Sequence, residues 1–120
     1  MLLTKNKMFR INTVSLEGPD LSGKTTLYNN IHKKTNFLWD IRDRSALSRV
    51  CFARQYERDV SFERNRLRKE LSCLNNRMII ILPSFEILSR RFEKRGDEIQ
   101  SFTSLRALHQ IYEEEASAIE

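Results

Sequence analysis

The sequence predicts an α/β fold in three layers: a small parallel sheet of about three strands, flanked by helices. Three observations predict it. Strand-like and helix-like segments follow one another as strand, helix, strand, helix, helix, strand, helix, helix, the alternation of a parallel sheet joined by helical crossovers. The first strand runs straight into a glycine turn and then a helix, within "TVSLEGPDLSGKTTL". The run "RMIIILP" has the continuous apolar composition of a buried parallel strand.

The 120 residues fit one domain, 1–120, with residues 1–8 read as a flexible tail. Residues 9–17 are rich in β-branched and apolar side chains and read as a strand. A helix follows from Lys24, with Leu27 and Ile31 on one face. In residues 36–43, Phe37, Trp39 and Ile41 alternate with Asp40 and Arg42, which suits a strand with one wet face or an edge position. Residues 46–56 are helical, with Leu47, Val50 and Cys51 at suitable spacing for one face and Arg54 as a further candidate for it. Residues 61–76 form a helix with Phe62, Leu67, Leu71 and Leu74 as its apolar stripe, stopped by Asn75 and Asn76. The strand 77–83 precedes Ser84, a cap for a helix reaching Arg95, which Gly96 ends. A polar loop leads to a last helix over 102–117, whose Glu113, Glu114 and Glu115 read as a solvated face.

The charge is +5, from 21 basic against 16 acidic residues, so an anion is the expected partner, a nucleotide phosphate or a nucleic acid. A merely solvated basic surface is the alternative, and no basic stripe interleaved with aromatics supports nucleic-acid binding. Cys51 and Cys73 fit no metal spacing and read as buried reduced thiols. His32 and His109 belong to no ligand cluster. "MLLTKNKMFRINTV" is too broken by charge for a signal peptide, and no apolar run approaches a membrane span, so a cytoplasmic protein without membrane contact is expected.

Gly18, Gly23, Lys24 and Thr25 match the P-loop pattern G-x-x-x-x-G-K-[ST], placed between strand and helix, and so predict a P-loop NTPase fold. Glycines allow the positive φ values that turn successive backbone N–H groups inward, and the helix start adds partial positive charge. Pro19, Leu21, Ser22 and Thr26 complete the cradle. Lys24 is expected to reach the β- and γ-phosphates of ATP, and the Thr25 hydroxyl to hold Mg²⁺. Asp20 sits inside the loop, where a carboxylate near phosphates is costly. It is either accepting from a substrate hydroxyl or is a turn residue facing water.

Asp43 and Arg44 follow the second strand at its C-terminal end, where open parallel sheets bind ligands. The carboxylate there can hold magnesium or orient the attacking oxygen, and the guanidinium can clamp a second phosphate. A surface ion pair is the plain alternative. Arg91 and Arg95, one helical turn apart, can close over a triphosphate or remain solvated charge.

"LEGPDLSGKTTL", "DRSALSRVCF" and "ILPSFEILSRRFEKRGDEIQ", in that order, resemble the thymidylate kinase-like branch of P-loop nucleoside and nucleotide kinases. The resemblance implies ATP-dependent phosphoryl transfer to a nucleoside or nucleotide. In it Lys24 and Thr25 bind ATP and magnesium, Asp20 a sugar hydroxyl, and Asp43 the metal or nucleophile. Arg44 holds the acceptor phosphate, Ser48 and Phe52 line the acceptor site, and Arg91 and Arg95 close on the donor. Ser45 stands where that family usually has an aromatic. The alternative function is a non-catalytic nucleotide-binding or regulatory module derived from such a kinase. The resemblance also places strand 9–17 between the other two, leaving the apolar strand at an edge. A homo-oligomer or a partner complex that covers this edge is therefore expected.

Overall fold

The computed structural model describes residues 13–36, 38–95 and 101–119. Among them the chain forms β1 (Thr13–Glu17), α1 (Lys24–Lys34), β2 (Asp40–Asp43), α2 (Ala46–Gln55) and α3 (Ser61–Ser72). It continues through β3 (Asn76–Ile80), α4 (Phe85–Arg95) and α5 (Phe102–Ile119). The strands make one parallel sheet in the order β2-β1-β3, with β1 central as expected. Val14 lies opposite Ile41 on one side and Arg77 on the other, so neighbouring side chains in each row share a face.

Alternation along β1 sorts the core into two halves. Val14, Leu16 and Ile41 point to one face, where Leu27, Tyr28 and Ile31 of α1 cover them. On the opposite face Met78 and Ile80 of β3 join Leu47, Val50 and Cys51 of α2, Leu67 of α3, and Leu108 and Tyr112 of α5. Leu16, Leu47, Leu88 and Leu108 are fully buried. Each such burial stabilises by roughly 2 kcal/mol. The result is an α/β sheet with helices on both sides, as the alternation predicted.

Several boundaries and faces differ from expectation. Residues 9–12 of the first strand, the 1–8 tail, Phe37, Gly96 and most of the following loop lie outside the described residues. The second strand begins only at Asp40, because α1 ends in a turn with Asn36 at φ 53 and Leu38 bonded to the Thr35 carbonyl. The helix expected to reach Asn76 stops at Ser72: Cys73 is extended, and Asn76 already pairs with Thr13.

The apolar stripe on α3 is also corrected, since Phe62, Leu71 and Leu74 are exposed and only Leu67 is buried. α3 instead turns polar side chains inward, with the Glu70 carboxylate accepting from Ala46 N at 3.2 Å and Arg64 bonded to Glu115. Glu115 is itself buried, held by Arg54 and Arg64, so the acidic triple is not a wholly solvated face. Cys51 is buried, and burial pushes its thiol well above the usual range; Cys73 is exposed, against expectation.

The strand expected over 77–83 as a buried strand spans Asn76–Ile80 and is only half-buried, on one side. Arg77 and Ile79 face outward beside the α1 layer, which lies over β1 and β2. Ser84 precedes α4 as expected, accepting from Ile87 N at 3.4 Å. Buried His109 bonds through Nε2 to the Pro83 carbonyl oxygen at 2.7 Å. Among the described residues no helix is long and apolar enough to cross a membrane.

Candidate functional site

The loop between β1 and α1 is built around backbone that ordinary residues avoid. Gly18 has φ 146, and a Cβ there would stand 2.2 Å from the Ile81 carbonyl oxygen. The cause is local: Ile81 N donates to the Glu17 carbonyl at 2.8 Å, which draws the end of β3 against the loop. Leu21 at φ 67 and Gly23 at φ 99 carry the chain back into α1. No side chain caps that helix and no acid lies in its first turn, so its leading N–H groups face an anion-ready position. Beside them the Ser22 hydroxyl is buried with no hydrogen-bond partner among the described residues.

Lys24 is 8% exposed, and its ammonium bends back to donate to the carbonyls of Gly18 at 2.9 Å and Pro19 at 3.2 Å. The side chain thus spans the floor of the loop. Burial holds its pKa below the usual lysine value, and the nearby Arg44 cation adds to this, while Asp20, Asp43 and Glu17 pull the other way. Thr25 and Thr26, the next two residues of α1, are exposed.

Asp43 ends β2 and Arg44 turns the chain, at φ 75, with its N–H donating to the Leu16 carbonyl at 2.8 Å. Its guanidinium pairs with the Asp20 carboxylate at 2.7 Å and lies 5.4 Å from the centre of the Phe52 ring. Asp20 therefore faces Arg44 across the loop. Arg44, Ser48 and Phe52 share a cleft of about 230 Å³ with Asp43, Ser45 and Arg49. A second cleft, about 390 Å³, lies on the other side of Asp43 and is lined by Thr25, Tyr28, Asn29 and Ile41 as well. The two residues expected to hold magnesium thus open on one cleft, and three of the four expected acceptor residues on the other.

Arg91 of α4 reaches the loop and donates to the Leu21 carbonyl at 2.6 Å. Pro19, within the loop, is fully buried. Arg95 is exposed at the end of α4 and is not among the side chains described at the loop.

Sequence reasoning missed Glu17 and Tyr112. Glu17 is fully buried, and its carboxylate accepts from Ser45 N, from Ser45 Oγ at 2.7 Å and from Ser48 Oγ. Three donors make such burial tolerable. They also tie the turn after β2 to the strand before the loop. Tyr112 contributes its hydroxyl to Ser48 Oγ at 2.7 Å. Alternation along β1 puts Glu17 on the face opposite Val14 and Leu16, where a carboxylate reads as facing water. The spacing of Leu105, Leu108 and Tyr112 could have flagged the tyrosine as a core position.

Comparison of the chain with protein families, curated proteins and solved structures gave no match.

Proposed function

We propose that the chain is a P-loop phosphotransferase that moves the γ-phosphoryl group of ATP to a nucleoside or nucleotide. The observation that carries this is the loop: left-handed backbone at Leu21 and Gly23, an uncapped helix start, a buried Ser22 hydroxyl without a partner among the described residues, and the Lys24 ammonium held on the Gly18 and Pro19 carbonyls. These groups suit the donor phosphates, with Lys24 exchanging its carbonyl partners for phosphate oxygens.

Thr25 and Asp43 fit magnesium, since a hydroxyl and one carboxylate on a shared cleft suit a cation that otherwise keeps water and phosphate oxygens. Magnesium would supply neutralisation of the donor phosphates. Among the described residues no cluster of three or more His, Cys, Asp or Glu could hold a metal by protein ligands alone. Asp43 would orient the attacking oxygen, Arg44 would bind acceptor phosphate, and Arg91 would close the loop over the donor. The terminal anhydride bond of ATP breaks, the acceptor oxygen forms the new bond, its proton passes to solvent or a carboxylate, and ADP leaves. Positioning and charge supply the catalysis, so few covalent partners are needed.

Among the described residues β3 is an edge strand, and its Ile79 is 39% exposed, which supports association with a second copy or another protein along that strand. The test of the activity is direct. The chain is incubated with Mg·ATP and a panel of nucleosides and nucleoside monophosphates, and product is sought by label transfer. ATP binding without transfer to any of them would favour the regulatory module instead.

A further inference from the structure

We propose that Tyr112 is a positioning residue for Arg44, acting through a buried one-way hydrogen-bond chain anchored on Glu17. The proposal rests on the phosphate-transfer reading, in which Arg44 receives the acceptor.

The direction of the chain follows from donor and acceptor capacity alone. A guanidinium only donates, so Arg44 Nη1 gives a proton to the Tyr112 hydroxyl oxygen at 3.3 Å and to Ser48 Oγ at 3.4 Å. A carboxylate only accepts, so the Ser48 hydroxyl proton goes to Glu17. With that proton committed, the contact between Ser48 and Tyr112 at 2.7 Å must run from tyrosine to serine. Every hydroxyl proton is therefore assigned, in the sequence Arg44, Tyr112, Ser48, Glu17. Burial keeps the Tyr112 phenol protonated by pushing its pKa up, so it remains a donor throughout the ordinary pH range.

Such a chain is polarised in one sense and strengthens along its length, because the Tyr112 and Ser48 hydroxyls each accept and donate in a water-poor interior. Its effect on Arg44 is geometric. Asp20 holds one end of the guanidinium from the exposed side, and Tyr112 with Ser48 holds Nη1 from the buried side. When an acceptor phosphate replaces Asp20, the buried grip still fixes the fork. Tyr112 stands on α5, 68 positions from Arg44, so the last helix reports directly to the acceptor arginine.

The test uses the full chain carrying ¹⁵N-labelled arginine, with dTMP as the acceptor probe. Tyr112→Phe keeps the ring packing and removes only the hydroxyl. In the wild type the Arg44 Nη protons, assigned by their loss in Arg44→Lys, should give separate, slowly averaging signals. In Tyr112→Phe they should average, and the KM for dTMP should rise roughly tenfold, the scale of one lost bond to a charged group. The KM for ATP should be little changed. Ser48→Ala, which cuts the chain one link further in, should have the same signature. Unchanged Arg44 signals with an unchanged dTMP KM would overturn the proposal. So would equal rises in the KM for dTMP and ATP, the mark of general loosening. If the wild type moves no phosphate to dTMP, that use of the acceptor site fails by itself, and the Arg44 signals decide: averaging supports the relay, and persistence overturns it.

Discussion

Arg44 and Asp20 form an ion pair at 2.7 Å between residues 24 positions apart, one from the turn after β2 and one from inside the glycine loop. The pair joins the region expected to hold the donor to the region expected to hold the acceptor. Both side chains keep partial access to solvent, at 27% and 43%, so a competing phosphate can reach the guanidinium. As a surface-type pair it contributes about 1 kcal/mol or less to folding. Its importance lies in where it leaves Arg44.

Arg44→Ala and Asp43→Asn should each reduce phosphoryl transfer by about 10²-fold or more, while ATP affinity falls by severalfold at most. Their proposed contacts are with acceptor and magnesium rather than with the donor cradle. Calorimetric ATP titration beside a transfer assay separates the two effects. Normal turnover in both variants would reduce this end of the sheet to a structural role.

Gly18→Ala should destabilise the fold on the order of 3 kcal/mol, because a side chain is strained at this φ and would also strike backbone. Urea unfolding measures it. Gly23→Ala should cost less: its Cβ would meet only the Arg91 guanidinium, at 4.0 Å, and strain at φ 99 is then the main penalty.

Lys24 gives a pH signature. Its folded pKa lies below the usual lysine value of 10.5, so the unfolded chain binds more protons between the two values. Stability should therefore rise as pH increases through the folded pKa toward 10.5, as the buried ammonium loses its charge. Lys24→Met should lack this rise and be no less stable than wild type at neutral pH. The difference between their unfolding free energies across pH isolates the residue, and a flat difference would contradict the burial argument.

Sedimentation at micromolar concentration should show a homo-oligomer, or an assembly once the partner is present, with β3 protected from hydrogen exchange. Ile79→Lys, which places a charge on the exposed row beside Arg77, should weaken association without loss of the monomer fold. A stable, ATP-competent monomer with an exchanging β3 would contradict it.

What the sequence made legible was local. Gly18, Gly23, Lys24 and Thr25 define their loop by spacing, and Asp43 and Arg44 follow from the end of a strand. Glu17 was opaque for a different reason: a carboxylate ending a strand looks alike whether water or two serines meet it. The α3 stripe misled because Phe62 and Leu74 are apolar by type, while α3 is tied to its neighbours by the Arg64–Glu115 ion pair and by the hydrogen bond from Ala46 N to Glu70. Glu115 reads as solvent charge until two arginines from other helices are brought to it. Long-range partners, unlike turns, leave no trace in residue spacing.

Whether this loop moves a phosphate is decided by single-turnover transfer from γ-labelled ATP. With magnesium and the preferred acceptor from the panel, label should appear on the acceptor in the wild type. Lys24→Ala should abolish it while retaining the folded circular dichroism spectrum. Label that stays on ATP with every acceptor, or transfer that persists unchanged in Lys24→Ala, would rule out phosphoryl transfer at this loop.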